Sequence, residues 1–242
     1  MKIADFSRTE LLIGTDALKR LKQTKVAIAG LGGVGSYAAE ALVRAGIGSF
    51  ILVDFDTVGA TNINRQLLAT QDSIGKVKTE LMRERILSIN PAAEVLCHQV
   101  FLDSENRSEL LANADFIIDA IDSLGPKIGL LEELAKTERR FISVMGAGNR
   151  LDPSKLHLAP LKKSENCPLA RRVRKFLRRR GVKGDFPCVY SSELPILPDT
   201  EIESESELII ERGRQRQVIG SISYLPAIMG MMAAAWVIRE VV

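Results

Sequence analysis

Six residues constrain this chain more than any others. Gly30-Leu31-Gly32-Gly33-Val34-Gly35 is a GxGxxG run between the apolar segment Lys25–Gly30 and the small-residue segment Ser36–Ala45. The apolar run reads as a buried strand and the small-residue stretch as a helix. The glycines permit the tight turn between them, and the backbone N–H groups at the helix start form a cradle for phosphate. A second strand, Ser49–Asp54, ends in an acid 19 residues after Gly35, where a carboxylate accepts hydrogen bonds from ribose hydroxyls. Strand, loop, helix and acid together predict a nucleotide-binding βαβ unit, with NAD, FAD and ATP all open as ligands at this point.

The pattern continues along the chain. Glu94–Val100, Asp115–Ala120 and Arg140–Met145 read as further strands, with helices at Lys76–Ile89, Glu105–Ala112 and Lys127–Thr137 between them. Leu11–Lys22 reads as a leading helix. Apolar strands alternating with helices predict an α/β fold: a Rossmann-like, doubly wound, mainly parallel sheet covered by helices on both faces. After Gly146 the pattern changes to one strand, Lys155–Ala159, and one helix, Leu169–Arg180. Residues 1–150 are therefore expected to be the nucleotide-binding domain. Residues 151–242 are expected to be a C-terminal α/β extension of the same globular unit.

The segment after the second strand narrows the ligand. Asp54-Phe55-Asp56 is followed by Thr61-Asn62-Ile63-Asn64-Arg65-Gln66 and by Gly75-Lys76-Val77-Lys78. Lys78 precedes Met82, Ile86 and Ile89 on the inward stripe of its helix, where a lysine either snorkels or serves a ligand. Arg65 and Lys78 downstream of a phosphate loop favour a polyphosphate clamp over hydride transfer. Asp122, in Asp119-Ala120-Ile121-Asp122-Ser123, follows the fourth strand, and ligands of open parallel sheets bind beyond strand C-termini. Its carboxylate suits Mg²⁺ between phosphate oxygens, whereas Asp119 reads as structural.

The formal net charge of +3 hides an uneven distribution. Residues 162–185 sum to +8 and residues 199–211 to −6, with no base among the latter. On Leu169–Arg180 the apolar positions Leu169, Val173, Phe176 and Leu177 face inward. Arg171, Arg172, Arg174, Lys175, Arg178, Arg179 and Arg180 are left outside, a surface suited to a nucleic-acid backbone. The acidic stretch reads as a loop or edge ribbon that tempers non-specific binding of polyanions.

Three cysteines, Cys97, Cys167 and Cys188, form no CxxC pair, so neither a zinc knuckle nor a disulfide framework is indicated. Cys188 is expected to approach the site more closely than Cys167, and none is assigned a role. The first residues lack the apolar core of a secretory signal. Val218–Ile238 carries no charge, but only the 13 residues from Pro226 to Ile238 precede Arg239, roughly 20 Å of helix against a hydrocarbon core of about 30 Å. A buried helix is expected rather than a stable membrane span. The location expected is cytoplasmic, with peripheral membrane contact by this run left open.

The ordered motifs GLGGVGS, LVDFDTV, TNINRQ, GKVK, INP and DAIDS resemble the MoeB/ThiF adenylating family, relatives of the ubiquitin-activating enzymes, over roughly the first 150 residues. The resemblance implies an ATP site. It would place Gly30, Gly32, Gly33 and Gly35 in the phosphate loop, Asp54 on ribose with Asp56 and Ser123 nearby, Asn62 and Arg65 on the phosphates, Lys78 on the phosphate tail and Asp122 on Mg²⁺. Room is also left for a monovalent cation. Arg8, in Phe6-Ser7-Arg8-Thr9-Glu10-Leu11-Leu12-Ile13-Gly14, matches an arginine that the family sends into the partner subunit's site, which implies a homodimer.

The second half lacks the zinc cysteines of MoeB and ThiF. Its segments NCPLARRVR, VYSSE and GSISY are similar instead to the tRNA threonylcarbamoyladenosine dehydratase branch (TcdA, also called CsdL). That branch implies tRNA as partner and an association with a cysteine desulfurase system. It also implies ATP-dependent dehydration of a modified nucleoside beside the anticodon, through adenylation of its threonyl carboxylate. Two rivals remain: adenylation of the C-terminal glycine of a ubiquitin-like sulfur carrier, and an NAD-dependent oxidoreductase. A non-catalytic RNA-binding or sulfur-relay protein is a third.

Overall fold

A computed structural model describes residues 5–196 and 219–242. The acidic stretch 199–211 lies outside the described residues. Two short helices, α1 (Ser7–Ile13) and α2 (Thr15–Gln23), lead into β1 (Lys25–Ala29). There follow α3 (Gly35–Ala45), β2 (Ser49–Val53), α4 (Lys78–Ile89), β3 (Glu94–His98), α5 (Arg107–Leu111), β4 (Phe116–Asp119), α6 (Leu124–Lys136) and β5 (Phe141–Val144). The chain closes with β6 (Leu156–Pro160), α7 (Pro168–Arg179), β7 (Pro187–Ser191) and α8 (Tyr224–Val241).

The seven strands lie in the order β3-β2-β1-β4-β5-β7-β6, all parallel except β6, which runs antiparallel to β7. Successive side chains of a strand point to opposite faces, and the core divides accordingly. Val26, Ile28, Phe50, Leu52, Ile118 and Val144 face α2, α3, α4 and α8. Ala27, Ala29, Ile51, Val53, Ile117 and Cys188 face α5, α6 and α7. The strand order reverses between β1 and β4, so their C-terminal ends open the crevice in which doubly wound sheets bind ligands.

Four elements differ from the sequence reading. The single helix expected over 11–22 is split by Gly14, whose φ of +84° belongs to the left-handed region, and the first half begins earlier, at Ser7. No residue of α1 is buried, and Leu11 and Leu12 are 87% and 85% exposed. β7 is absent from the sequence reading, because Pro187-Cys188-Val189-Tyr190-Ser191 has neither alternation nor an apolar run. The last helix starts at Tyr224 rather than after Pro226, which sits in the first turn where no N–H is required. Its 18 residues are long and apolar enough to cross a membrane by length and composition, yet half of them are buried inside the fold. Gly230 explains the packing: a Cβ there would lie 2.3 Å from the Val34 carbonyl, so only glycine lets α8 approach α3 this closely.

Candidate active site

The phosphate loop is held by backbone contacts that leave no room for side chains. Gly30 has φ +92°, and a Cβ on it would stand 2.8 Å from the Ala120 carbonyl. A Cβ on Gly35 would fall 1.8 Å from the Gly30 carbonyl. The loop is therefore braced against the end of β4 and against itself. From above, the Thr61–Gln66 segment closes on it: a Cβ at Gly33 would meet the Arg65 carbonyl at 3.1 Å and Pro226 of α8 at 3.2 Å.

Asp54 is buried and shapes the same loop. One carboxylate oxygen accepts from Leu31 N–H at 2.5 Å and the other from Asp56 N–H at 2.8 Å. Burial pushes its carboxyl above the usual range, against the opposing pull of Lys78 and the two backbone donors. Each oxygen keeps a lone pair for a further donor. Lys78, at the first position of α4, is almost wholly buried and donates to the Asp56 carboxylate at 2.8 Å.

Asn62 uses its Oδ1 to accept Gly59 N–H at 3.1 Å, closing a short 3₁₀ turn. Arg65 donates Nη1–H to the Thr61 carbonyl and to Asn64 Oδ1, both at 2.9 Å. Asp122 is exposed beyond β4 and accepts the Ser123 hydroxyl at 3.2 Å, with Ser123 starting α6. The glycine loop, Asp54, Asp56, Asn62, Arg65, Lys78, Asp122 and Ser123 thus share the C-terminal end of the parallel strands.

Two features here escape the sequence reading. Phe55 and Phe101 form an edge-to-face pair, centroids 5.3 Å apart, beyond β2 and β3, and both are exposed. The signal for them is Phe55 between two acids, a poor place for a core aromatic. Gln66 is buried beside Gly32, and its Oε1 has no hydrogen-bond partner.

Arg8 is not brought to the site of its own chain. It lines an open cavity with Arg44, Arg85, Ser88 and Ile89, at the C-terminal ends of α3 and α4. Gly35 and Lys78 begin those helices, and the 12 residues of α4 span about 18 Å.

Helix α7 leaves the site end of the sheet, where Leu169 packs near Gly146, and ends beside Phe141 and the last turn of α6. Pro168 occupies its first turn, and Cys167 Sγ caps it by accepting Ala170 N–H at 3.5 Å. Arg171, Arg172, Lys175, Arg178, Arg179 and Arg180 are exposed as expected. Arg174 is not: it is half-buried and donates to the Ser164 carbonyl and hydroxyl, because at its helical position the guanidinium faces the preceding loop. Arg180 is tied to Glu132 at 2.6 Å, and Arg179 lies over the Phe176 ring.

Burial pushes the Cys97 thiol up to about 11 and the Cys188 thiol up to about 12. Cys188 is fully buried in β7, so neither thiol is an activated nucleophile. Among the described residues no three His, Cys, Asp or Glu side chains gather as a metal cluster.

The ThiF family model matches residues 6–242. The chain belongs to the ThiF family. A Bacillus subtilis relative named tRNA threonylcarbamoyladenosine dehydratase is 38% identical over 239 residues, covering 97% of this chain and 93% of that protein. Two crystal structures of the Escherichia coli enzyme TcdA, named tRNA N6-threonylcarbamoyladenosine dehydratase, are similar over 100% of this chain and 97% of theirs. The complex with AMP has a TM-score of 0.88 at 32% identity. The complex with ATP has a TM-score of 0.86 at 31% identity. The Rossmann-like sheet of this ThiF-family chain is the fold those structures share.

Proposed function

We propose that the protein is an ATP-dependent tRNA threonylcarbamoyladenosine dehydratase. The observation that carries this reading is end-to-end similarity to proteins of that name, including structures with AMP and ATP, joined to a glycine loop against which the Thr61–Gln66 segment packs. The threonyl carboxylate of the modified nucleoside attacks the α-phosphate of ATP, forming an acyl adenylate and releasing pyrophosphate. The carbamoyl group of the same side chain then attacks the activated carbonyl, closes a ring and expels AMP. The nucleoside has lost one water. Nucleophile and electrophile share one side chain, so proximity favours the second step.

Each residue has a part in this reading. The loop N–H groups and Asn62 hold phosphate oxygens, and Asp54 takes the ribose. Phe55 and Phe101 offer apolar surface to the base. Arg65, Lys78 and, from the partner subunit, Arg8 stabilise the charge that develops at phosphorus. Mg²⁺ prefers one or two carboxylates together with substrate phosphates, and the exposed Asp122 fits that preference. The ion would neutralise phosphate charge there.

Arg8 stands about one helix length from its own site, and α1 presents Leu11 and Leu12 to solvent. Both favour a homodimer in which α1 crosses to the partner. The exposed arginines of α7 start beside the site and supply the surface for the tRNA backbone. β6, β7 and α8 join the sheet and the loop, so residues 151–242 are read as part of one unit with residues 1–150. The setting is the cytoplasm. Sulfur transfer from a cysteine desulfurase is not a step of this reading.

The test incubates the protein with ATP, Mg²⁺ and threonylcarbamoylated tRNA, followed by nucleoside mass spectrometry. Loss of one water with release of AMP and pyrophosphate is expected. Intact nucleoside from a preparation that binds ATP and tRNA would refute the reading.

A further inference from the structure

Lys127 is fully buried and has no part in the chemistry above. It lies in the first turn of α6, close after the Asp122–Ser123 turn. Its ammonium forms an ion pair with the Asp119 carboxylate at 2.7 Å and donates to the Ile121 carbonyl at 2.9 Å and the Val144 carbonyl at 2.8 Å. Asp119, equally buried, accepts the Ser143 hydroxyl at 2.6 Å and Ile121 N–H at 3.2 Å. Ile121 is therefore gripped at both of its backbone groups, its N–H by Asp119 and its carbonyl by Lys127. The next residue is Asp122.

A buried ion pair is a poor source of stability, since an apolar pair of similar volume often serves as well or better. What this pair does that an apolar pair cannot is hold polar backbone at a fixed point. The chain leaving β4 would otherwise be an ordinary surface loop. Here it is tied to the ends of β4, β5 and the start of α6 at the last residue before the exposed carboxylate.

We infer that Lys127, together with Asp119, is a positioning residue that fixes the Asp122–Ser123 turn at the mouth of the nucleotide site. The inference rests on the function proposed above for the importance of Asp122, and on geometry alone for the tether. The pair acts through Asp122 and touches no substrate. Small displacements of a positioned group cost up to about 10²-fold in rate.

The test compares wild type with the double variant Asp119→Leu/Lys127→Met, which removes both charges and leaves neither uncompensated. Three quantities are read: the thermal midpoint, amide hydrogen exchange at residues 121–123, and kcat with KM for ATP on threonylcarbamoylated tRNA. The expected variant melts close to wild type and exchanges faster at Asp122 and Ser123 but not through the rest of α6. Its kcat falls about 10²-fold while tRNA affinity is unchanged. Unaltered exchange at Asp122 and Ser123 overturns the inference, as does wild-type kcat in the folded variant. Ser143→Ala, which removes one bond to Asp119 and keeps the ion pair, decides the matter if the double variant does not fold. Faster local exchange with a several-fold lower kcat supports positioning, and no change in either overturns it. If wild type itself dehydrates nothing, the functional reading has failed, while the exchange data still judge the tether.

Discussion

Lys78 and Asp56 meet at 2.8 Å, yet the lysine side chain is 4% exposed and the aspartate 44%. The ammonium has been drawn out of water, and its counter-ion remains where an incoming anion can compete with it. Under the proposed function, a phosphate held at the glycine loop competes with Asp56 for this desolvated cation. Lys78→Met is expected to lower kcat by about 10²–10³-fold, the usual consequence of losing a preorganised charge at a transition state. Asp56→Asn leaves the ammonium without its carboxylate, so the free protein should lose about 1–3 kcal/mol. ATP should then raise its melting temperature more than that of wild type, because phosphate replaces the missing charge. A thermal-shift titration measures both effects, and equal ATP-induced shifts would contradict this account.

A pH dependence follows from Asp54. Burial raises its carboxyl above the usual value, so between the unfolded and folded values the folded state binds more protons than the unfolded one. Stability therefore falls as pH rises through that window, and the cost of ionised Asp54 is fully present above it. Under the proposed function the Asp54 carboxylate accepts from the ribose hydroxyls, so ATP binding has the opposite sign. Affinity should decline on acidification from a higher pH than an ordinary aspartate would give. Asp54→Asn should bind ATP weakly at every pH and lose this titration in calorimetry.

The exposed cations of α7 and the tethered one should separate in a salt titration. Each of Arg171→Gln, Arg172→Gln, Lys175→Gln and Arg178→Gln is expected to reduce the slope of log affinity for tRNA against log salt by about one for each phosphate left without its cation. Arg174→Gln should leave the slope unchanged and lower the melting temperature, because its guanidinium serves Ser164. Five equal slopes would remove α7 from the interface.

Arg8 allows a complementation experiment. Arg8→Ala and Asp122→Ala should each be inactive as homodimers, one lacking the donated cation and the other the carboxylate. Mixed dimers contain one site with both residues intact, so mixing and exchanging subunits should restore part of the activity. No recovery in proven heterodimers would argue that Arg8 does not act in trans.

Much of the architecture is legible because burial on both faces of a parallel sheet forces apolar strand runs, and the glycine loop announces its own turn. Asp122 can be placed by its position after β4 alone. Lys127 cannot: a lysine three residues into a helix looks solvated until Asp119 and the Val144 carbonyl are brought around it. β7 escapes because proline, cysteine and tyrosine give no alternation, and its place between β5 and β6 is set by long-range pairing. Arg174 departs from expectation for a related reason. One position of helix phase turns it from the open flank toward Ser164, and sequence spacing does not show what loop lies there.

The contact between α8 and the glycine loop ties nucleotide binding to packing away from the crevice. The loop follows β1, yet Pro226 and Gly230 meet it from the α8 side, at Gly33 and Val34. A substitution that loosens α8 from α3 therefore reaches the glycine loop without touching any side chain proposed to meet nucleotide.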